Sequence, residues 1–190
     1  MENGNEKKVK RIINLIIGII AIILIIILCI IGYNHHLQKV NNNKFTTYLE
    51  NNNYKKDENN IYTKTIDNGN EKTTYQAIID QYLLTKEKST STDTKFTSIT
   101  TSFKQDGTIE IAYKLEGYNS EGSVGTLYQK GTYKDDKFDC QIVNNNDFET
   151  QCPTMKKEAQ EFDKEVKQIF ENNDINLKYI TLKDKNSTNQ

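Results

Sequence analysis

The sequence predicts an α+β protein: one N-terminal transmembrane helix, then an extracytoplasmic domain in which an antiparallel β-meander is packed by a C-terminal amphipathic helix. Three observations carry that expectation. Residues 12–33 form an uncharged apolar run, residues 96–151 alternate apolar and polar side chains between turn-forming clusters, and residues 153–170 repeat apolar side chains at spacings of three and four. The expected divisions are a basic N-terminus at 1–11, an anchor at 12–33, a folded domain at 34–182 and a disordered tail at 183–190.

The run from Ile12 to Tyr33 holds 13 Ile and 3 Leu. A hydrocarbon core of about 30 Å needs roughly 20 apolar residues in a helix, so one crossing fits. Each central Ile or Leu favours insertion by about 0.3–0.6 kcal/mol, and the sum reaches several kcal/mol. The run exceeds the 7–15 residues or so of a cleavable signal core, and "LCIIGYNHH" offers no small-residue cleavage site. Leu28, a large residue, precedes Cys29, so a lipoprotein leader is excluded as well. The bilayer is therefore the expected partner of residues 12–33. Lys7, Lys8, Lys10 and Arg11 set the topology: a basic flank stays in the cytoplasm, which places residues 34–190 outside the cell membrane. Gly18 and Gly32 are not at G-x-x-x-G spacing, so the anchor carries no helix-pairing signal.

Beyond the anchor, residues 34–190 hold 21 Lys against 24 Asp plus Glu, a net charge of −3. That balance has no basic stripe, and nucleic acid is excluded as a partner. Apolar residues are sparse, and the core must draw on ten Tyr, whose rings bury while their hydroxyls keep a partner. The runs Asn41–Asn43, Asn51–Asn53 and Asn144–Asn146 read as turns in a protein encoded by AT-rich DNA, with a bacterial envelope as the expected setting.

Next to the anchor, the Asn41–Asn43 run is expected to break helical spacing, leaving a short helix near 44–51. "IYTKTID" at 61–67 alternates as a strand does and leads into Asn68-Gly69, a turn signal. Tyr75, Ile78, Ile79, Tyr82 and Leu83 fall on one face of an amphipathic helix. "KSTSTDTK", 88–95, reads as structureless.

From Phe96 to Gln151 four or five strands are expected, separated by "KQDG", "NSEG", "KDD" and "NNN". Ile109, Ile111, Tyr113 and Leu115 share one face of their strand, as in a sheet covered on one side. Pro153 opens a helix whose stripe is Met155, Ala159, Phe162, Val166, Ile169 and Phe170. "INLKYITL" is expected to add an edge strand. In layout alone the arrangement resembles cystatin-like and nuclear-transport-factor-like domains.

Cys140 and Cys152 form an even pair on the oxidising side, and their spacing suits neither a redox C-x-x-C nor a zinc ribbon. A disulfide across a strand–turn–strand hairpin is the expectation. His35 and His36 are the only histidines, adjacent and beside the membrane, and make a poor metal pair. No nucleotide-binding, hydrolase, metalloprotease or calcium-loop motif occurs. No catalytic residue, metal or cofactor is expected. The expected function is a non-catalytic binding or assembly module with a protein partner at the cell envelope. The alternative is an anchored regulatory or sensing accessory, and a carboxylate-based hydrolase ranks third.

Overall fold

A computed structural model describes residues 3–79, 83–118, 122, 124–145 and 148–176. The chain divides into two units, Met1–Val40 and Asn41–Gln190. The first consists of most of helix α1, Asn3–Asn51. Its apolar run is long and apolar enough to cross a membrane, and the residues from Lys8 to His36 are all exposed. An apolar helix of this kind serves as a membrane anchor or a signal sequence. Lys7, Lys8, Lys10 and Arg11 lie within α1, ahead of the run.

Among the described residues of the second unit, the end of α1 precedes eight strands and a second helix. The strands are β1 (Lys55–Lys56), β2 (Ile61–Asp67), β3 (Glu71–Ile78), β4 (Leu83–Ser91), β5 (Lys95–Phe103), β6 (Ile109–Tyr118), β7 (Val124–Lys134) and β8 (Lys137–Asn144). Helix α2 spans Cys152–Asn172. All eight strands make one sheet in the order β1 to β8, and every neighbouring pair is antiparallel. Chain order and sheet order coincide, so each strand pairs with the one that follows it. Between β7 and β8 the link is only Asp135 and Asp136, with φ of 49° and 62°. Two positive-φ residues in a two-residue loop have the twist that neighbouring antiparallel strands require.

Register sorts the strand side chains onto two faces. Tyr62, Ala77, Leu84, Phe103, Ile109 and Tyr133 stand directly opposite one another across six strands, and all are buried. The α2 stripe of Met155, Ala159, Phe162, Val166 and Phe170 is buried with them, as are Phe45 and Leu49 of α1. Phe170 sits edge-on to both Phe45 and Phe103, each at 5.7 Å between ring centroids. Such a row removes large aromatic surfaces from water and supplies the core that the sparse apolar composition must build. The opposite face is polar. One of its rows reads Thr65, Thr74, Glu87, Thr100, Ala112, Lys130 and Gln141.

The α+β class, the antiparallel meander and the C-terminal helix stand as expected. Four expectations fail. First, α1 continues through Asn41–Asn43 instead of breaking there. Asn41 is buried, donating through Nδ2 to the Asn176 carbonyl at 3.0 Å and accepting the Asn176 N–H at 3.2 Å. Those bonds satisfy its amide inside a helix, where propensity alone disfavours it. Second, of the segment expected as a helix, Tyr75–Ile78 belongs to β3 and Leu83 opens β4, while Tyr82 lies outside the described residues. The Asn68-Gly69 turn, with Gly69 at φ 84°, feeds a hairpin, and Thr73, Thr74 and Tyr75 suit a strand better than a helix. Third, Lys88–Ser91 belongs to β4 and Lys95 opens β5, so little of 88–95 is structureless. Fourth, Phe148–Gln151 is not the further strand expected there; the strands over Lys95–Asn144 number four among the described residues, within the four or five expected. The expected final strand, apart from Ile175 and Asn176, and the expected tail lie outside the described residues.

Candidate functional site

The two cysteines that spacing singled out are joined. Cys140 of β8 and Cys152 of α2 form a disulfide with Cα atoms 6.0 Å apart. Among the described residues the hairpin expected to bring them together is not formed, since Phe148–Gln151 is not a strand. Cys152 instead opens α2, so the bond ties the helix start to the last strand. A buried neighbour works with it. Gln129 of β7 is fully buried, accepts the Gln151 N–H through Oε1 at 2.8 Å and donates through Nε2 to the Thr150 hydroxyl at 2.8 Å. Gln151 precedes the helix and makes no side-chain cap of its own. Gln129 therefore stabilises the chain entering α2 from the sheet side.

A second polar cluster lies on the covered face. Lys86 and Lys88 of β4 reach Glu165 and Glu158 of α2, each ion pair at 2.7 Å. The Lys86 ammonium also stands 5.4 Å from the centre of the Tyr75 ring and 5.9 Å from that of Phe162. Burial pushes the Lys86 pKa down, the Glu165 hydrogen bond and charge push it up, and the net direction is up. Nearby Tyr48 and Tyr54 are shifted up, chiefly because burial disfavours a phenolate. These groups are matched to each other. They hold α2 on a stretch of sheet whose side chains are too polar to do so by burial alone. The sequence signal was faint: two lysines at i, i+2 in a Thr-rich segment, with partners about 70–79 residues away.

The outer face and its last edge are where another molecule has access. Between β5 and β8 the outer face forms an open trough of about 370 Å³, lined among others by Ser102, Glu110, Lys130, Thr132 and Asp139. Glu110 and Asp139 flank Thr132 in one row, and both are exposed. Glu110 is paired with Lys104, and Asp139 accepts from Gln141 at 3.4 Å. Hydroxyls and paired charges of this kind hydrogen-bond a ligand or a partner surface, but they do not assemble a nucleophile with a base.

β8 is the terminal strand of the sheet. Among the described residues no backbone hydrogen bond reaches it from any element but β7. It also breaks register at the Tyr128/Gln129 step of its pairing with β7, a bulge that falls at Val143. Ile142 and Val143 are 54% and 55% exposed, an apolar pair on an open strand edge. An unpaired edge is a template for another strand, and proteins ordinarily guard it with charge. The charges of β8, Lys137 and Asp139, lie towards its other end.

His35 and His36 are exposed on α1, and Cys29 is an exposed free thiol in the apolar run. Among the described residues no group of three His, Cys, Asp or Glu side chains is placed to hold a metal. No family model, no curated protein and no solved structure matches this chain. Its function is therefore read from its own geometry.

Proposed function

We propose that this chain is a single-pass protein of the cell membrane whose folded unit stands on the extracytoplasmic side as a non-catalytic binding or assembly module. Residues 12–33 cross the bilayer, and Lys7, Lys8, Lys10 and Arg11 hold the N-terminus in the cytoplasm. The disulfide supports an oxidising compartment for the folded unit. Its partner is a protein of the envelope that adds an extended strand to β8.

The observation that carries this reading is the edge itself: eight residues, unpaired on the outer side among the described residues, with Ile142 and Val143 turned to solvent. Main-chain hydrogen bonds along such an edge supply affinity, and alternate side chains supply choice of partner. The test is photocrosslinking in intact cells with a photoreactive residue at Gln141, compared with one at Glu87 on the outer face of β4. A discrete adduct from position 141 alone, lost when Ile142→Lys and Val143→Lys place charge on the edge, is expected. Adducts equal at both positions, or none from β8, would remove the edge as the docking site.

A further inference from the structure

The two sulfurs of the Cys140–Cys152 disulfide have different surroundings. The Thr150 hydroxyl donates to Cys152 Sγ at 3.2 Å. Buried Gln129 stands behind it, donating through Nε2 to Thr150 Oγ1 at 2.8 Å and lying 3.8 Å from the same sulfur. Among the described residues no donor reaches Cys140 Sγ. A neutral disulfide sulfur is a weak acceptor, so these donors gain little while the bond is closed. They gain far more once Cys152 carries a charge, because a hydrogen bond to an ionised group is roughly twice as strong as a neutral one.

Cys140 is the sulfur with an open approach. It lies on β8, the terminal strand, where no further strand covers it among the described residues. Alternation puts it on one face with Phe138 and Ile142, and Ile142 is 54% exposed. Both cysteines are half-buried, so the bond is not sealed in the core.

We propose that the Cys140–Cys152 bond is a thiol–disulfide exchange site for a dithiol reductant, with Cys140 the sulfur attacked and Cys152 the leaving thiolate. The reductant's thiolate bonds to Cys140 Sγ, the S–S bond breaks, and its electron pair leaves on Cys152 Sγ, where Thr150 and Gln129 receive it. The reductant's second thiolate then attacks its own sulfur in the mixed disulfide, and Cys140 departs and takes up a proton. Two electrons pass to this chain, whose disulfide becomes two reduced cysteines, while the dithiol becomes a disulfide. A leaving thiol departs faster the lower its pKa, and donors that favour the thiolate lower it. Opening the bond frees the start of α2 from β8. The exchange needs no strand on the β8 edge, so it stands or falls apart from docking there.

The experiment treats the full-length Cys29→Ser chain in lipid nanodiscs with reduced glutathione, quenches early with acid and maps the mixed disulfide by peptide mass spectrometry. Glutathione is a monothiol, so its adduct has no second thiol to resolve it. Adduct on Cys140 with Cys152 free is expected in about threefold or greater excess over the reverse. Thr150→Val keeps the side-chain shape and removes the donor. It should slow reduction by dithiothreitol about threefold and bring the two adducts closer to equal. Thr150→Ser keeps the hydroxyl and should behave as the parent does. Thr150 is exposed, and unfolding would speed reduction instead of slowing it, so a damaged fold cannot imitate the expected result. Excess adduct on Cys152 overturns the proposal. Rates and adducts that Thr150→Val leaves unchanged overturn it as well, because exposure alone then selects the sulfur. A bond that resists dithiothreitol until urea unfolds the chain also overturns it and leaves the disulfide a structural staple.

Discussion

The side-chain carbonyl of Gln129 accepts the backbone N–H of Gln151 at 2.8 Å, one residue before Cys152 begins α2. The amide on the same side chain donates to Thr150 at 2.8 Å, so both ends of a fully buried glutamine are used on the chain that enters the helix. Replacing it with an apolar residue of similar volume strands the Gln151 N–H without returning it to water. Gln129→Leu is expected to cost about 2–3 kcal/mol, read as a lower urea midpoint for the full-length protein in detergent. The same change at exposed Gln141 should stay within about 0.5 kcal/mol. Equal midpoints for the two variants would show that Gln129 does not secure the helix start.

That glutamine was not legible in the sequence, and the reason is general to this domain. Alternation exposed Ile109, Ile111, Tyr113 and Leu115 as one face of β6, and all four are buried. The stripe of α2 was equally plain, since 3-4 spacing has no competing reading over 18 residues. β3 and β4 were missed because Tyr75, Ile78, Ile79 and Leu83 satisfy a helical period while Thr73, Tyr75 and Ala77 satisfy a strand period. The Asn68-Gly69 turn ahead of them favoured the hairpin, and local spacing could not show it. The covered face of β4 carries one apolar residue, Leu84, before Lys86 and Lys88, which are made tolerable by glutamates of a helix far along the chain. Propensity makes the Asn41–Asn43 run a break, whereas tertiary bonding at Asn41 reverses that preference. The disulfide was legible from count and compartment, but its geometry was not.

Opening that disulfide should cost more than losing any one surface contact. The cysteines are 12 residues apart, and closing a loop near this size stabilises by about 3 kcal/mol through the unfolded chain. Cys140→Ser with Cys152→Ser is expected to lower stability by roughly that amount and to release α2 first, since the bond holds its N-terminus. In a Cys29→Ser background, a membrane-impermeant maleimide applied to intact cells should give two labels only after reduction. Label without reduction would mean free thiols. Label only after lysis would place the folded unit in the cytoplasm.

The Lys86–Glu165 pair predicts alkaline sensitivity. The Lys86 side chain is only 13% exposed and Glu165 35%. Against the downward push of burial, Glu165 raises the Lys86 pKa above its unfolded value. A cationic group whose folded pKa is raised contributes stability that is complete below the unfolded pKa and is lost as pH rises through the folded one. Tyr48 and Tyr54 act in the same direction, because burial raises both phenols and their neutral forms are the ones the fold prefers. Unfolding midpoints should therefore fall above about pH 10. Glu165→Gln should cost about 1–3 kcal/mol at pH 7, discounted for partial exposure, and should flatten the alkaline fall. Lys86→Met with Glu165→Leu should recover most of that loss, since an apolar pair leaves no uncompensated charge. A double variant no better than Glu165→Gln alone would assign the cost to lost packing.

The acid limb has a different owner. Asp106, in the turn between β5 and β6, accepts the Thr108 N–H at 3.0 Å, the Lys134 ammonium at 3.0 Å and the Thr108 hydroxyl at 2.8 Å. In that order of weight these bonds pull its pKa from the ordinary 3.8 to about 2. A depressed carboxylate contributes stability that is present above the unfolded pKa and disappears as pH falls through the folded one, so the window runs from near pH 4 down to about 2. The side chain is exposed, and solvent screening keeps the contribution below about 1 kcal/mol. Asp106→Asn should therefore leave the midpoint at pH 2 nearly unchanged while lowering it slightly at pH 7. A variant as stable as the parent at both values would show that the turn forms without its carboxylate, through Gly107 at φ 79° and the Lys104–Thr108 backbone bonds alone.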